Sequence, residues 1–187
     1  KANPSTPYGI SHLATDLTLL AYYKYNKFPF VISRFSNFYG PHQQLYRLIP
    51  KALYCIFSNK KLLLHGGGKS VRSFIYIDDF CEGIYKSMIN GRPGEIYNFT
   101  SREYVSIKWL VKKICLLTSM NFNKLVKITK DRPTKDNVYK MDPTKAEREL
   151  NWKAKYTIKE GLEKTIKWYK KNKKMLSRLK NIYVYKQ

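Results

Sequence analysis

Acidic residues are scarce in this sequence: 13 Asp and Glu stand against 36 Lys and Arg in 187 residues, a formal net charge of +23 at pH 7. Cysteine is scarcer still. Cys55, Cys81 and Cys115 lie far apart and in no CxxC spacing. That pattern excludes a disulfide framework or a zinc site and reads as free thiols in a reducing compartment. No apolar run reaches the roughly 18 residues of a membrane span. The opening KANPSTPYG has no apolar stretch, so no secretory signal is expected. Internal repeats and low-complexity linkers are absent. So is the GxGxxG fingerprint of a dinucleotide-binding turn. Gly66-Gly67-Gly68-Lys69-Ser70 tempts a phosphate-loop reading, but position 63, where such a loop requires glycine, is Leu63. The run reads instead as a loop joining two strands, open enough for backbone to approach a ligand.

What is present suffices for a packed core. Hydrophobic residues make up 43% and aromatics 15%, which rules out disorder. The length suits one domain or a piece of a larger one. A pI near 9.9 raises the question of nucleic acid. Most lysines, however, are dispersed among acidic and apolar residues. Only the end is dense, with Lys164, Lys167, Lys170, Lys171, Lys173, Lys174, Arg178 and Lys180. A solvated helix face is expected there, and a nucleic-acid partner is not.

Segments of helical and strand period alternate along the chain. Leu13, Leu17, Leu20 and Ala21 recur at helical spacing from Tyr8 to about Tyr25, behind Ser5, Thr6 and Pro7, which supply a cap and a first-turn proline. A buried strand is predicted over 30–35, a turn over 37–41, a helix over 48–57 and a strand over 62–65. Ser73 to Ile77 alternates as a strand, and Asp78 is expected to cap a helix reaching Ile89. A turn at 91–94, a strand over 95–99 and a helix capped by Ser106 follow. A strand over 126–129 and helices over 143–150 and 158–172 complete the series. Strands alternating with helices predict an α/β protein.

Two groups of residues carry chemistry. Tyr8 and His12 are four apart and share a helix face. A tyrosine with a basic neighbour one turn on can move protons, because nearby positive charge favours the phenolate. Arg72, Arg132 and Lys135 fall near strand ends and loops, where forked guanidinium donors suit paired phosphate oxygens.

Taken in order, a longer series emerges: Tyr8-Gly-Ile-Ser-His12, Arg34-Phe-Ser-Asn37-Phe-Tyr-Gly-Pro41, Arg47-Leu-Ile-Pro50, His65-Gly-Gly-Gly68 and Val71-Arg72-Ser-Phe-Ile-Tyr-Ile-Asp78-Asp79. Gly94-Glu-Ile-Tyr-Asn98, Asp131-Arg-Pro133 with Tyr139, and Leu150-Asn-Trp152 continue it. The series resembles the C-terminal half of the extended short-chain dehydrogenase/reductases that act on nucleotide sugars, the NAD-dependent epimerase/dehydratase family. Its dTDP-glucose 4,6-dehydratase branch is the nearest pattern. The resemblance spans roughly residues 3 to 170.

That resemblance implies a fold, a reaction and a site. The fold would be the C-terminal part of a Rossmann-like, doubly wound α/β domain plus a small α/β substrate-binding lobe, without the N-terminal NAD-binding half. Residues 1–60 would complete the Rossmann-like part, 61–172 form the substrate lobe with intermixed Rossmann elements, and 173–187 a basic tail. The implied reaction is NAD-dependent 4,6-dehydration of a dTDP-, UDP- or CDP-hexose. Epimerisation, or binding without turnover, are the alternatives.

Tyr8 would be the catalytic acid/base, and His12 stands where the family has the lysine that holds the nicotinamide ribose. Ser36 and Phe38 would lie near the nicotinamide and Asn37 near the substrate. Arg47 and Leu48 fall where the family grips the diphosphate region, and Leu63 and His65 where it sandwiches the base. Arg72 and Arg132 would clamp the diphosphate, with Ser106, Lys135 and Tyr139 further along the substrate. No metal is implied. The resemblance also implies a homodimer through the Tyr8 helix, with Tyr22 and Tyr23 facing outward, and a cytoplasmic setting. His12 departs from the family: imidazole is shorter than a lysine and, as a residue type, largely uncharged at neutral pH.

Overall fold

The computed structural model describes residues 4, 6–131 and 138–179. Its first element, α1 (Pro7–Asn26), starts where the sequence offers a cap: Thr6 Oγ1 accepts from Gly9 N at 3.1 Å, and Pro7 occupies the first turn. Lys27, in the left-handed region, ends the helix. Strand β1 (Ile32–Phe35) follows and pairs in parallel with β5 (Ile96–Phe99), with Ile32 opposite Ile96 and Phe35 opposite Phe99.

Alternation along β1 sends neighbouring side chains to opposite faces. Arg34 meets Asp16 of α1, whereas Ser33 bonds Ser87 and Phe35 packs on Phe80 at 4.3 Å, both on α3 (Ile77–Asn90). Helices therefore cover both faces of this pair, which is the doubly wound arrangement. Among the described residues, no strand pairs with the other edge of β1.

Segments on both sides of β5 build the second unit. β2 (Asn37–Tyr39) pairs in parallel with β4 (Val71–Tyr76), which also pairs antiparallel with β6 (Tyr104–Ser106). β3 (Leu62–His65) pairs in parallel with β7 (Val126–Thr129). Helices α2 (Leu48–Phe57), α4 (Ile107–Leu117) and α7 (Ile158–Lys171) bury Ile49, Leu53, Leu110, Ile114, Leu162 and Ile166 in one cluster with β3 and β4. Smaller helices α5 (Phe122–Leu125), α6 (Thr144–Leu150) and α8 (Lys173–Leu176) complete the set. Leu176 is buried against the α7 cluster, so ordered packing continues past Asn172. A second cluster joins Tyr97, Phe99, Ala146, Leu150 and Trp152.

Four local expectations differ from what forms. The predicted turn over 37–41 begins with β2, because Phe74 to Tyr76 supplies a hydrogen-bonding partner that local sequence does not reveal. Strand β6 was not predicted, since three residues are too few to show a period. Tyr76 caps α3, leaving Asp78 inside its first turn, where a carboxylate still complements the helix dipole. Tyr23 does not face outward: its ring lies 5.9 Å from Phe30 and covers Gly94. Ser106 does cap α4, accepting from Trp109 N.

A buried carboxylate joins the two clusters. Asp79 Oδ1 and Oδ2 accept from the backbone amides of Lys155 and Tyr156, and its carbonyl accepts from Trp152 Nε1 at 2.9 Å. Burial pushes its pKa up, and the two amides oppose that shift.

Nearby, Glu149 accepts from Arg148, Arg92 and the buried Tyr97 hydroxyl, and its pKa falls to about 2. A carboxyl depressed on folding stabilises the native state above its unfolded pKa, and that stability is lost as pH falls through the folded value. Melting temperature should therefore drop between pH 4.5 and 2, and drop less in Glu149→Gln, when both are followed by circular dichroism.

Gly161 of α7 is set against Tyr39, whose hydroxyl donates to Ile158 O at 3.1 Å. A Cβ at position 161 would stand 2.8 Å from Tyr39 Cζ and 3.1 Å from Tyr76 Cδ2, both buried rings. Gly161→Ala should cost about 1–3 kcal/mol in urea unfolding, as overpacking does.

Candidate functional site

Asn37, Arg72, Ser106 and Tyr139 are related by strand register, and Tyr8 and His12 by helix geometry. Tyr8 and His12 lie near the start of α1, in edge contact with ring centroids 4.4 Å apart. α1 runs antiparallel to β1: Tyr23 meets Phe30, and Asp16 meets Arg34. Tyr8 is eight residues before Asp16, about 12 Å along a helix axis. From Arg34, about 12 Å of extended chain reaches Asn37 or Phe38. The Tyr8 end of α1 therefore lies level with the corner where β1 passes into β2.

That corner is built around Ser36, Asn37 and Phe38. Ser36 is buried, and its Oγ is the one buried side-chain polar atom among the described residues without a hydrogen-bond partner. Asn37 is exposed, and its Nδ2 donates to Ser73 O at 3.2 Å. Phe38 packs on Phe80 at 4.2 Å, and its carbonyl accepts from Gln43 Nε2. Asn37 stands opposite Phe74 on β4. Arg72 is two residues earlier on that strand, roughly 7 Å away along it. Arg72 Nη1 donates to Val71 O at 2.8 Å.

Ser106 is opposite Val71, and Tyr139 N donates to Val71 O, so both lie at the Arg72 end of β4. The Ser106 hydroxyl is occupied as a cap, which limits it to donating its proton elsewhere. Leu63 and His65, two apart on β3, share one face. Leu63 is exposed, and His65 Nδ1 lies 2.9 Å from Thr129 Oγ1 and 3.4 Å from Lys130 O. Arg47 precedes α2 and is exposed with its guanidinium over Tyr46, while Leu48 is half-buried against the main cluster. Arg132 and Lys135 lie outside the described residues.

Sequence reasoning missed three participants. Asp16 repeats the Tyr8–His12 spacing one turn further on, a signal that is visible but common. Thr129 meets His65 only through the β3–β7 pairing. Asp79 was quoted within a motif without a role. An open groove of about 480 Å³, lined by Arg102, Tyr104, Lys140, Met141, Asp142 and Pro143, holds none of the candidate residues. Arg102 there is engaged by Glu147.

Among the described residues, no cluster of His, Cys, Asp and Glu could hold a metal ion. The described lysines of α7 and α8 expected to form a solvated face are exposed, with Lys164 of α7 over Tyr156 and Lys173 of α8 over Phe57. Cys55 and Cys115 are buried with their thiol pKa values pushed up by that burial, and Cys81 is exposed. No described helix is long and apolar enough to cross a membrane.

Comparison with known proteins gives a consistent answer. A family model described as GDP-mannose 4,6 dehydratase matches residues 1–165. Human dTDP-D-glucose 4,6-dehydratase is 37% identical over 174 residues, covering 90% of this chain and 49% of that protein. The chain thus spans about half the length of the curated relatives it matches. Among solved structures, dTDP-glucose 4,6-dehydratase of Bacillus anthracis in complex with NAD superposes with a TM-score of 0.89 at 33% identity, covering 95% of this chain and 56% of that one. The Streptomyces venezuelae dTDP-glucose 4,6-dehydratase, with NAD and dTDP bound, gives 0.90 at 31% identity, over 95% of this chain and 55% of its own.

Proposed function

Because the chain belongs to the GDP-mannose 4,6 dehydratase family, we propose that it is the C-terminal, substrate-gripping and proton-transferring half of an NAD-dependent 4,6-dehydratase of a dTDP-hexose. One geometric argument carries the reading: counted from the Asp16–Arg34 contact, helix rise brings the Tyr8–His12 end of α1 level with the Ser36–Asn37–Phe38 corner, and Arg72 stands two residues before the partner of Asn37 on β4.

The corner suits the nicotinamide end of the dinucleotide. The orphaned Ser36 hydroxyl is a buried polar group that needs a partner, and His12 stands one helical turn from Tyr8, within reach of a ribose hydroxyl. When bound, NAD would supply the hydride acceptor and donor for the sugar carbon. Everything else falls to the chain. Tyr8 takes the proton of the C4 hydroxyl as the ketone forms. Asn37 offers its amide oxygen to the sugar. Arg72, with Arg132 and Arg47, pairs forked donors with the diphosphate. Leu63 and His65 hold the base between an apolar face and an imidazole edge. Lys135, Ser106 and Tyr139 border the nucleotide.

Calorimetric titration with dTDP-glucose, UDP-glucose and CDP-glucose, each with and without NAD, tests the reading. dTDP-glucose should bind most tightly, and the full-length polypeptide should convert it to a 4-keto-6-deoxy sugar. Tight binding without any turnover would favour the second reading, a non-catalytic nucleotide-sugar module, which His12 in place of lysine supports. Turnover to an epimer would move the assignment within the family.

The outer side of α1, with Ile10, Leu17, Tyr22 and Tyr25 exposed, suits a homodimer, and sedimentation showing only monomer of the full-length chain would reject it. A nucleotide-sugar substrate and three unpaired cysteines favour the cytoplasm.

A further inference from the structure

We propose that Asp16, through Arg34, is a positioning residue that sets where Tyr8 stands along the substrate line; this rests on the dehydratase reading above. Arg34 donates from both Nε, at 3.1 Å, and Nη2 to Asp16 Oδ2. The Asp16 side chain is 18% exposed and that of Arg34 36%, so the pair is partly shielded from solvent. A forked guanidinium on one carboxylate fixes direction as well as distance.

The rest of α1 makes the pair necessary. None of its residues is fully buried. Its half-buried side chains, among them Leu13, Asp16, Leu20 and Tyr23, form a stripe three to four residues apart facing β1. The contact with the sheet at its far end is Tyr23 against Phe30 and Gly94. Tyr23 is 15 residues from Tyr8, a lever of about 22 Å. Leu13 and Leu20 add only non-directional packing, so a tilt of some 5° about Tyr23 would swing Tyr8 by about 2 Å. Pinning it at Asp16 shortens the free lever to about 12 Å. Misplacement of about 1 Å can cost a reaction 10²-fold, so the pin matters for chemistry more than for holding substrate. The other end of the pair is equally well placed: Arg34, on β1, is two residues before Ser36 and three before Asn37, where β2 begins. One ion pair therefore ties the helix that carries the proton-accepting tyrosine to the strand that ends in the sugar-facing corner.

Among the described residues assigned to the nucleotide, Leu48, Leu63, His65, Arg72 and Ser106 lie on α2, β3, β4 and β6 rather than on α1 or β1, which predicts a split in kinetic effects. In the full-length enzyme, Asp16→Asn and Arg34→Gln should each lower kcat about fivefold while KM for dTDP-glucose stays within twofold. The exchanged pair, Asp16→Arg with Arg34→Asp, should recover at least half of the loss. Amide hydrogen exchange over residues 8–15, read in the same proteins, needs no turnover: it should quicken in both single variants and slow again in the exchanged pair. Single variants with wild-type kcat, an exchanged pair no better than either, or unchanged amide exchange would overturn the proposal. A wild-type enzyme that makes no 4-keto sugar, yet shows the expected exchange pattern, would leave the pin standing and remove the dehydratase reading.

Discussion

Replacing Tyr8 by Phe should abolish 4-keto sugar formation by the full-length enzyme, a loss on the order of 10²–10⁴-fold in kcat. The ring, its edge contact with His12 and the helix all survive the change; only the hydroxyl goes. Tyr8 is 76% exposed in this chain, so no core packing depends on it and thermal stability should be unchanged. Substrate affinity should also hold, because the residues assigned to base and diphosphate sit on other elements. Calorimetry and single-turnover product analysis on the same preparation separate these quantities. A Phe variant that turns over normally would remove Tyr8 from the mechanism.

The second large effect is a gain. Changing His12 to Lys should raise kcat at least tenfold. A lysine at this position keeps its charge at neutral pH and extends past the Tyr8 ring, so it can favour the phenolate and reach a ribose hydroxyl at once. His12 lies on an exposed face of α1, so the longer side chain meets no packed neighbour and should not alter folding. The profile of kcat against pH should change together with its height. If His12→Lys is slower than the natural enzyme, the imidazole is part of an adapted mechanism, and the lysine analogy fails at this residue.

Much of this was legible because it is local. α1 is announced by Thr6 and Pro7 and α4 by Ser106, each acting within one helical turn. The ordered motifs named the fold although no single one could. What escaped was set by partners far along the chain. β2 exists because Phe74 to Tyr76 meets Asn37 to Tyr39. His65 finds Thr129 through the β3–β7 register, and Asp79 finds the amides of Lys155 and Tyr156. Asp16 had the right spacing behind His12, but spacing alone does not reveal that Arg34 alternates onto the same face of β1. The cap of α3 was misplaced for the opposite reason: Asp78 is a good capping residue, yet β4 runs on through Tyr76 and delivers the chain into the helix before that aspartate can act.

The parallel pairing of β1 with β5 has a consequence for how the chain comes to be folded. Everything from β2 through α3 must be synthesised before β5 can close onto β1, and β3 waits similarly for β7. Loop-closure entropy is paid before such contacts reward it, so this topology folds slowly. During translation β1 would leave the ribosome before β5 exists to pair with it, followed at once by the aromatic corner at Phe35 and Phe38. That interval is when the nascent chain is most exposed to aggregation, and cellular yield should depend on chaperone supply more than on the stability of the finished fold.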